Sequence, residues 1–493
     1  MCDRDIVYRE LKSIVGSDRV TDDEAILATY AMDSATPLGR AGYPSFVVLP
    51  MTTDEVKGVL EVANRYKIPV VPMSRGANIA SMSIPSRGGI ILDLRLMDNI
   101  IEINTDAAYA LIEPGVTFHK LAYEVKKYGF ICQLPTASGG ASPLANYLMR
   151  PSGNLTAMWD PDPIIALEVV TPTGYILRTG SASFGINSWR ARYGPFPDLT
   201  GLFCCSYGTL GVVTKAAVKI FDRGEEERLF LAAFDNFRAA VEFMKIAIRR
   251  KLIDSVTFWN WGWCMFHDMI LSKERELPPE MLKPDQRTPP PGHPYGIASA
   301  RISGYTEVVD AQERVCKKLV EQLGGRVVSA EEAREKYPGS WAYWNAYYIE
   351  GVHIKPGEES QLRAGLHLPG CLIAAEPSKV VEVEERMWRI AEKEFKPPVF
   401  YRSLPYSHAR EFFLAFVVYA TGPMVEEQPY LAHLRRVYAR LYDELLRDYG
   451  AIMFRFRRDP MYVIKTGIYA EVLRQIKHIF DPNNIMNPGI MMF

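Results

Sequence analysis

Two periods of apolar residues alternate along the first 222 positions. Val56, Val59, Leu60 and Ala63 fall at i, i+3, i+4 and i+7, one face of a helix, and Thr52 with Glu55 forms a capping box at its start. Phe118, Leu121, Ala122 and Val125 repeat the pattern behind Pro114-Gly115, with Gly129 as the stop. Between these helices lie short unbroken apolar runs such as Val70-Val71, Ile90-Ile91-Leu92, Ala110-Leu111-Ile112 and Ile165 to Val170, which predict buried strands. The region is therefore α+β, and it ends near Asp222-Arg223-Gly224, where a charged run begins. Residues 225–450 are rich in aromatics and amphipathic helices. Trp259, Trp261 and Trp263 alternate as in a strand and are expected to share one face, either packed on helices or lining an aromatic pocket. A second cluster is Trp341, Tyr343, Trp344, Tyr347 and Tyr348. Seven prolines between 277 and 294 predict a surface segment. A short helix around Val472 to Ile479 precedes an apolar tail expected to pack back on the first region.

Composition narrows the function classes. A net charge of -1 over 493 residues gives no electrostatic footprint for nucleic acid or an anionic membrane surface. No apolar run reaches membrane-spanning length, and the polar start Met1-Cys2-Asp3-Arg4-Asp5 has no secretory core. Seven cysteines at scattered positions show no metal-ligand spacing, which predicts reduced thiols, a cytoplasmic protein and no metal. Cys204-Cys205 is expected to pack as core.

The candidate chemistry begins at the loop after Val70-Val71-Pro72-Met73. Its sequence, Ser74-Arg75-Gly76-Ala77-Asn78-Ile79-Ala80-Ser81, is mostly small side chains. Small residues let backbone N–H groups close on a ligand, and consecutive N–H groups make a concavity suited to phosphate. The segment Gly88 to Leu94 beyond the loop reads as another strand, unlike the dinucleotide fingerprint that runs from strand into helix. Alone, the loop is equally a turn.

Three further motifs occur in order with it: Tyr109-Ala110-Leu111-Ile112-Glu113-Pro114-Gly115-Val116-Thr117, Tyr207-Gly208-Thr209-Leu210-Gly211-Val212-Val213-Thr214-Lys215, and Asp481-Pro482-Asn483-Asn484-Ile485-Met486-Asn487-Pro488-Gly489. Together the four resemble the vanillyl-alcohol oxidase and p-cresol methylhydroxylase flavoprotein superfamily, nearest its 4-alkylphenol branch. The resemblance implies an α+β fold. Residues 1–222 would be a two-subdomain FAD-binding domain of the p-cresol methylhydroxylase type, and 450–493 would return to complete it. Residues 223–449 would be an α+β cap on an antiparallel sheet. It implies FAD held by Met73, Ser74, Arg75, Gly76, Ala77, Asn78 and Ile79 at the pyrophosphate. Ser138, Gly140, Ala141, Ser142, Ala145 and Asn146 would be a second contacting stretch, and Gly208, Gly211 and Val213 a third wall, with Asn487 added from the C-terminal motif.

The sequence departs from the family pattern where the chemistry lies. Relatives bind a phenolate with two tyrosines and an arginine; here Arg455 stands at the arginine and Phe454 at a tyrosine. Trp159 occupies the position of the active-site carboxylate, and Asp160 is next to it, a base if the loop shifts by one residue and a turn residue before Pro161 otherwise. Leu372 replaces a flavin-linking histidine, with His367 offset, so FAD is expected to be non-covalent. His408 is a candidate pocket residue facing the ring, or a packed one. The implied function is FAD-dependent hydride transfer from a para-substituted phenol or a related aromatic or hydroxy compound. The alternatives are a 2-hydroxy-acid dehydrogenase and a degenerate flavoprotein subunit of a larger redox complex. A cytochrome-like electron-transfer partner and a homo-oligomer follow from the resemblance only.

Overall fold

The computed structural model describes residues 4–31, 42–77, 81–135, 138–149, 153, 162–272, 278–283, 285–352, 366–420, 428–455 and 467–491, with backbone alone for 270–272, 366–371, 419, 420, 428 and 431. Three sheets organise the described residues. The first has the order β1-β2-β4-β3, from Val20–Thr21 (β1), Phe46–Val48 (β2), Val70–Met73 (β3) and Ile90–Asp93 (β4). Both β2 and β3 pair with β4 in parallel. Parallel strands sit in a sheet covered on its faces, which suits their unbroken apolar runs. The helix Thr53–Tyr66 lays Val56, Val59, Leu60 and Ala63 into that core, each buried valine or leucine contributing about 1.5–3 kcal/mol. Thr52 Oγ1 accepts from the backbone N–H of Glu55 (3.1 Å). Only half of the expected capping box closes, because the Glu55 carboxylate turns to the N–H of Met51 and to Arg19.

The second sheet holds Ile100–Asn104 (β5), Tyr109–Ile112 (β6), Phe130–Cys132 (β7), Ile164–Val170 (β8), Ile176–Arg178 (β9) and Val212–Asp222 (β10). Its order is β5-β6-β10-β8-β9, with β7 also on β10. The helix Phe118–Lys126 covers it with the four predicted side chains, and Gly129 (φ +79°) follows its end. One buried carboxylate ties this sheet to the first unit. Glu168, 1% exposed, accepts from Lys215 (2.8 Å), Arg178 (3.0 Å), Thr214 Oγ1 (3.1 Å) and Thr53 Oγ1 (3.0 Å) of the first helix. Burial pushes its pKa up, but the two cations and the hydroxyl donors hold it below the ordinary carboxylate value.

The third sheet is antiparallel throughout. It comprises Glu226–Phe234 (β11), Ser255–Asn260 (β12), Gly296–Gly304 (β13), Arg326–Val328 (β14), Leu366–Ala375 (β15), Val399–Tyr406 (β16), Glu411–Ala420 (β17) and Ile452–Met453 (β18), in the order β14-β11-β13-β12-β16-β17-β15-β18. β18 pairs with β15, so residues 452–453 belong with this sheet and not with the return to the first two. One face carries Val256, Phe258, Tyr401, Phe412, Leu414 and Phe416 into a core shared with its own helices. The opposite face carries Trp259 into a core shared with Phe118, Leu134, Leu144 and Tyr147 of the second unit. The cap and the second sheet thus bury one continuous apolar layer.

Two expectations fail here. Trp259 ends β12, but Trp261 begins the helix Trp261–Ser272, so the three tryptophans do not share a strand face. Asn260 makes the switch: its Oδ1 accepts from the N–H of Trp263 (3.2 Å) and of Tyr401 (3.0 Å), capping the helix and bonding the neighbouring strand. Trp263 swings back to Trp259 (ring centroids 5.4 Å apart), and Trp261 packs in a separate cluster with Phe266 and Phe400. Cys204 and Cys205 are only half-buried, because Cys205 turns the chain at φ +58° instead of continuing the apolar segment.

The C-terminal tail packs back as expected. Val70 N–H donates to the carbonyl of Ile485 (2.7 Å), and the N–H of Asn487 donates to the carbonyl of Val70 (2.8 Å). Ser86 Oγ bonds the carbonyl of Pro488. The tail therefore borders β3, the strand that leads into the small-residue loop.

Candidate active site

β3 delivers Pro72 and Met73 to the rim of a half-open cleft with about 990 Å³ of space between its walls and the solvent at its mouth. Three separate segments line it. The first is Pro72 to Ala77, with Met82 and Ser83 behind. The second is Ala141, Ser142, Leu144, Ala145 and Asn146. The third is Tyr207, Gly208, Gly211 and Val213. Twelve of the predicted contacts therefore converge: Met73, Ser74, Arg75, Gly76, Ala77, Ala141, Ser142, Ala145, Asn146, Gly208, Gly211 and Val213. Asn78 and Ile79 lie outside the described residues, as do Trp159 and Asp160.

Local chemistry explains the shape of the cleft. Ser142 Oγ accepts from Ala145 N–H (3.3 Å), starting the short helix Pro143–Leu148 with Ala145 and Asn146 toward the space. Gly208 holds φ +71°, and a Cβ there would sit 2.5 Å from Pro72 Cγ. A Cβ on Gly211 would sit 2.8 Å from the carbonyl oxygen of Val170. Glycine is required at both positions for the third segment to close on the first.

Three predicted contacts support the cleft without lining it. Ser138 Oγ accepts from Gly140 N–H (3.1 Å), and the Ser138 carbonyl accepts from Ala141 N–H (3.1 Å), so Ser138 and Gly140 form the turn that aims Ala141. The Asn487 amide donates to the carbonyls of Met82 (3.0 Å) and Tyr207 (2.8 Å) and holds two lining residues in place. His408 is also displaced from expectation. It sits in the β16–β17 turn, where Ser407, His408 and Ala409 take consecutive φ values of +49°, +59° and +56°, and it does not line the cleft.

Backbone from small residues, and one charged side chain at an exposed position (Arg75), suit an extended dinucleotide such as FAD. The Asn146 amide points the same way. Asn146 is 6% exposed, and its buried Oδ1 has no hydrogen-bond partner among the described residues. An orphaned buried amide oxygen costs about 1–3 kcal/mol unless something donates to it. Replacing Gly208 with alanine should force the turn or Pro72 aside. Strain of about 1–3 kcal/mol then predicts roughly tenfold weaker FAD retention, read from the flavin-to-protein absorbance ratio after dialysis.

Beyond Tyr207 the site continues into the third sheet. Phe454 is buried against Phe413 (centroids 4.4 Å) and Tyr406 (5.1 Å). Arg455, next to it, has a buried Nη2. Burial pushes the Arg455 pKa down, while Tyr406, Tyr207 and Cys205 nearby favour its charge. Tyr207 lines the cleft, so Arg455 lies within electrostatic range of its wall.

Sequence reasoning missed a second arginine. Arg402 lies in the middle of β16, 7% exposed, with its Cζ over the rings of Phe413 (5.2 Å), Trp263 (5.8 Å) and Trp259 (5.9 Å). A charge inside Val399-Phe400-Tyr401-Arg402-Ser403-Leu404 was the available signal. Beside it His267 stacks on Tyr343 (4.5 Å). Its Nε2 accepts from Trp263 Nε1 (2.8 Å), which leaves the proton on Nδ1, facing Ser340 Oγ (3.3 Å). Burial, with Arg402 adding to it, pushes its pKa down to about 3, so the ring is neutral at physiological pH.

The comparisons agree with this architecture. Residues 44–180 match the model of the FAD binding domain, and residues 460–491 match that of the C-terminal domain of FAD linked oxidases. The chain is 31% identical over 250 residues to the glycolate oxidase subunit GlcD of Bacillus subtilis, covering 50% of this chain and 51% of that protein. It is 27% identical over 351 residues to the 4-cresol dehydrogenase flavoprotein subunit of Pseudomonas putida, covering 67% and 66%. It thus spans between half and two thirds of the length of these curated relatives. The solved structure of p-cresol methylhydroxylase with substrate bound superposes with a TM-score of 0.84 at 22% identity, over 98% of this chain and 96% of that one. The 4-ethylphenol oxidase of Gulosibacter chungangensis, in its isoeugenol complex, gives 0.84 at 21%, over 99% and 97%. The chain thus carries a region that matches the FAD binding domain and another that matches the C-terminal domain of FAD linked oxidases, and along nearly its whole length it has the fold of p-cresol methylhydroxylase.

Proposed function

We propose that this chain is an FAD-dependent oxidoreductase that removes a hydride from a carbon next to an aromatic ring or bearing a hydroxyl group. The observation that carries the reading is the small-residue cleft, with the buried guanidinium of Arg455 in electrostatic range of its lining residue Tyr207. FAD, when bound, supplies the hydride-accepting N5 centre. The protein's part is positioning and charge. The small-residue segments hold the dinucleotide through Met73 to Ala77, Ala141 to Asn146 and Gly208 to Val213. Arg455 stabilises negative charge on the substrate, a phenolate or a carboxylate, and the cap excludes water from the reacting carbon. Phe454 offers no hydroxyl, so that charge rests on arginine more than in relatives with a tyrosine at this place. FAD is held without a covalent link, and acid precipitation should release it into the supernatant. Electrons leave to a carrier such as a cytochrome, and the chain works as a homo-oligomer; both rest on the family alone.

Anaerobic mixing with a panel of 4-alkylphenols and 2-hydroxy acids tests the reading. Bleaching of the flavin absorbance by one class supports it and separates phenol from hydroxy-acid chemistry. A protein that binds FAD and is reduced by neither class is the degenerate subunit instead. Asp160→Asn should slow flavin reduction by about 10²–10⁴-fold with FAD content unchanged if Asp160 is the base. An unchanged rate removes Asp160 from the mechanism.

A further inference from the structure

Resting on that reading, we infer that Arg402 is a specificity-determining residue of the same site, and that it selects a substrate carrying a carboxylate. The contrast with another arginine in the same sheet carries the argument. Arg301, 2% exposed, is neutralised by two carboxylates, Glu227 (2.5 Å) and Asp254 (3.0 Å). Arg402 is nearly as buried, yet among the described residues no carboxylate lies within ion-pair distance and its buried Nη1 has no hydrogen-bond partner. Three aromatic faces surround it, and cation–π attraction offsets only part of the cost of removing a guanidinium from water.

Among the described residues, no other group nearby supplies the counter-charge. The neighbours that influence Arg402 are the hydroxyls of Tyr343, Tyr347 and Tyr348 and the like charge of Arg455. His267 is neutral, with both ring nitrogens engaged. The Tyr347 hydroxyl is committed to the carbonyl of Leu134 (2.9 Å), and that of Tyr348 to Thr257 Oγ1 (3.0 Å). Arg402 also lies on the side of the sheet that faces the second unit, since Trp259 and Tyr347 belong to the core shared with it. Two guanidinium groups within electrostatic range repel until an anion enters between them. A para-alkylphenol brings one phenolate, which Arg455 alone satisfies. A carboxylate beside the carbon being oxidised uses the second fork, and the planar guanidinium matches it in bidentate fashion. The substrate class is therefore a 2-hydroxy acid, its side chain accommodated by Trp263 and Phe413.

Oxalate, a dicarboxylate that cannot deliver a hydride, is the probe. Calorimetric titration of the FAD-loaded protein should show oxalate binding that weakens at least tenfold in Arg402→Met and partly recovers in Arg402→Lys. Anaerobic flavin reduction by D-mandelate should need correspondingly higher concentrations in Arg402→Met, with the saturating rate changed less. The assignment is overturned if wild-type protein does not bind oxalate, if Arg402→Met binds it equally well, or if 4-ethylphenol reduces the flavin and no hydroxy acid does. Should Arg402→Met fail to fold, the wild-type titration and Arg402→Lys still decide. Arg402-dependent oxalate binding in a protein that no substrate reduces would remove the hydride-transfer reading and leave the anion site standing.

Discussion

Lys477→Met is expected to be among the most destabilising single substitutions in the chain, at about 3–5 kcal/mol, because it breaks a buried ion pair from one side. Lys477 is 4% exposed and spends all three ammonium donors inside the protein, on Asp481 Oδ2 (2.5 Å) and the carbonyls of Thr209 (2.7 Å) and Met486 (2.8 Å). Asp481 in turn accepts from the N–H groups of Ile485 (3.0 Å) and Met486 (2.7 Å). Burial lowers the lysine pKa and Asp481 opposes it. Methionine fills the stem but leaves a buried carboxylate without its counter-charge and takes the ammonium donor from two carbonyls. Thr209 sits beside Gly208, so the damage should reach the cleft. Urea unfolding should report the lost stability, and the flavin-to-protein ratio should fall with it. A pairing substitution, Lys477→Met with Asp481→Leu, removes the stranded charge and should recover part of the loss. An unchanged unfolding midpoint in the single variant would show that this lysine is not a structural anchor.

The second large effect concerns Arg455. If it stabilises charge that develops on the substrate, Arg455→Met should slow anaerobic flavin reduction by about 10²–10³-fold, the usual consequence of losing one preorganised donor. FAD content should hold, since Arg455 does not line the cleft. Arg455→Lys should recover only part of the rate, because an ammonium keeps the charge and loses the planar fork. A rate within about threefold of wild type in Arg455→Met would remove the arginine from transition-state stabilisation.

How much of the molecule is legible in its sequence depends on the distance over which each feature is determined. The helix faces at Val56 to Ala63 and Phe118 to Val125 come from local periodicity, and the loop after Met73 stands out as a run of small side chains, both properties of a few consecutive residues. Ala141 to Asn146 and Gly208 to Val213 are legible as partners of that loop only through the resemblance carried by the four ordered motifs. The ends of elements are harder. Trp259, Asn260 and Trp261 read as a continuing strand because nothing local shows that Asn260 bonds Tyr401, a strand brought in from 141 residues away. Asn487 illustrates a different gap. An asparagine in a turn-rich return such as Asp481 to Gly489 suits either a cofactor contact or a backbone clasp, and the clasp shows only in the tertiary placement of Met82 and Tyr207. His408 falls away from the cleft because its turn needs three successive left-handed residues, which no propensity foretells. Arg402 is visible as a charge in an apolar strand, but its lack of a counter-ion among the described residues emerges only once the surrounding rings are assembled.

The clasp of the tail on β3 has a consequence for biosynthesis. Ser86 and Pro488 are 402 positions apart, and Asn483 meets Asn64 across 419. While the ribosome is still translating the cap, β3 has neither its late neighbour at Met486 nor the amide that pins Met82 to Tyr207. A nascent polypeptide halted before those codons should therefore fold its helices and most of its sheets yet fail to capture the coenzyme. Loading of the flavin becomes a post-translational event, and stalled-chain experiments should find fluorescence quenching only after release.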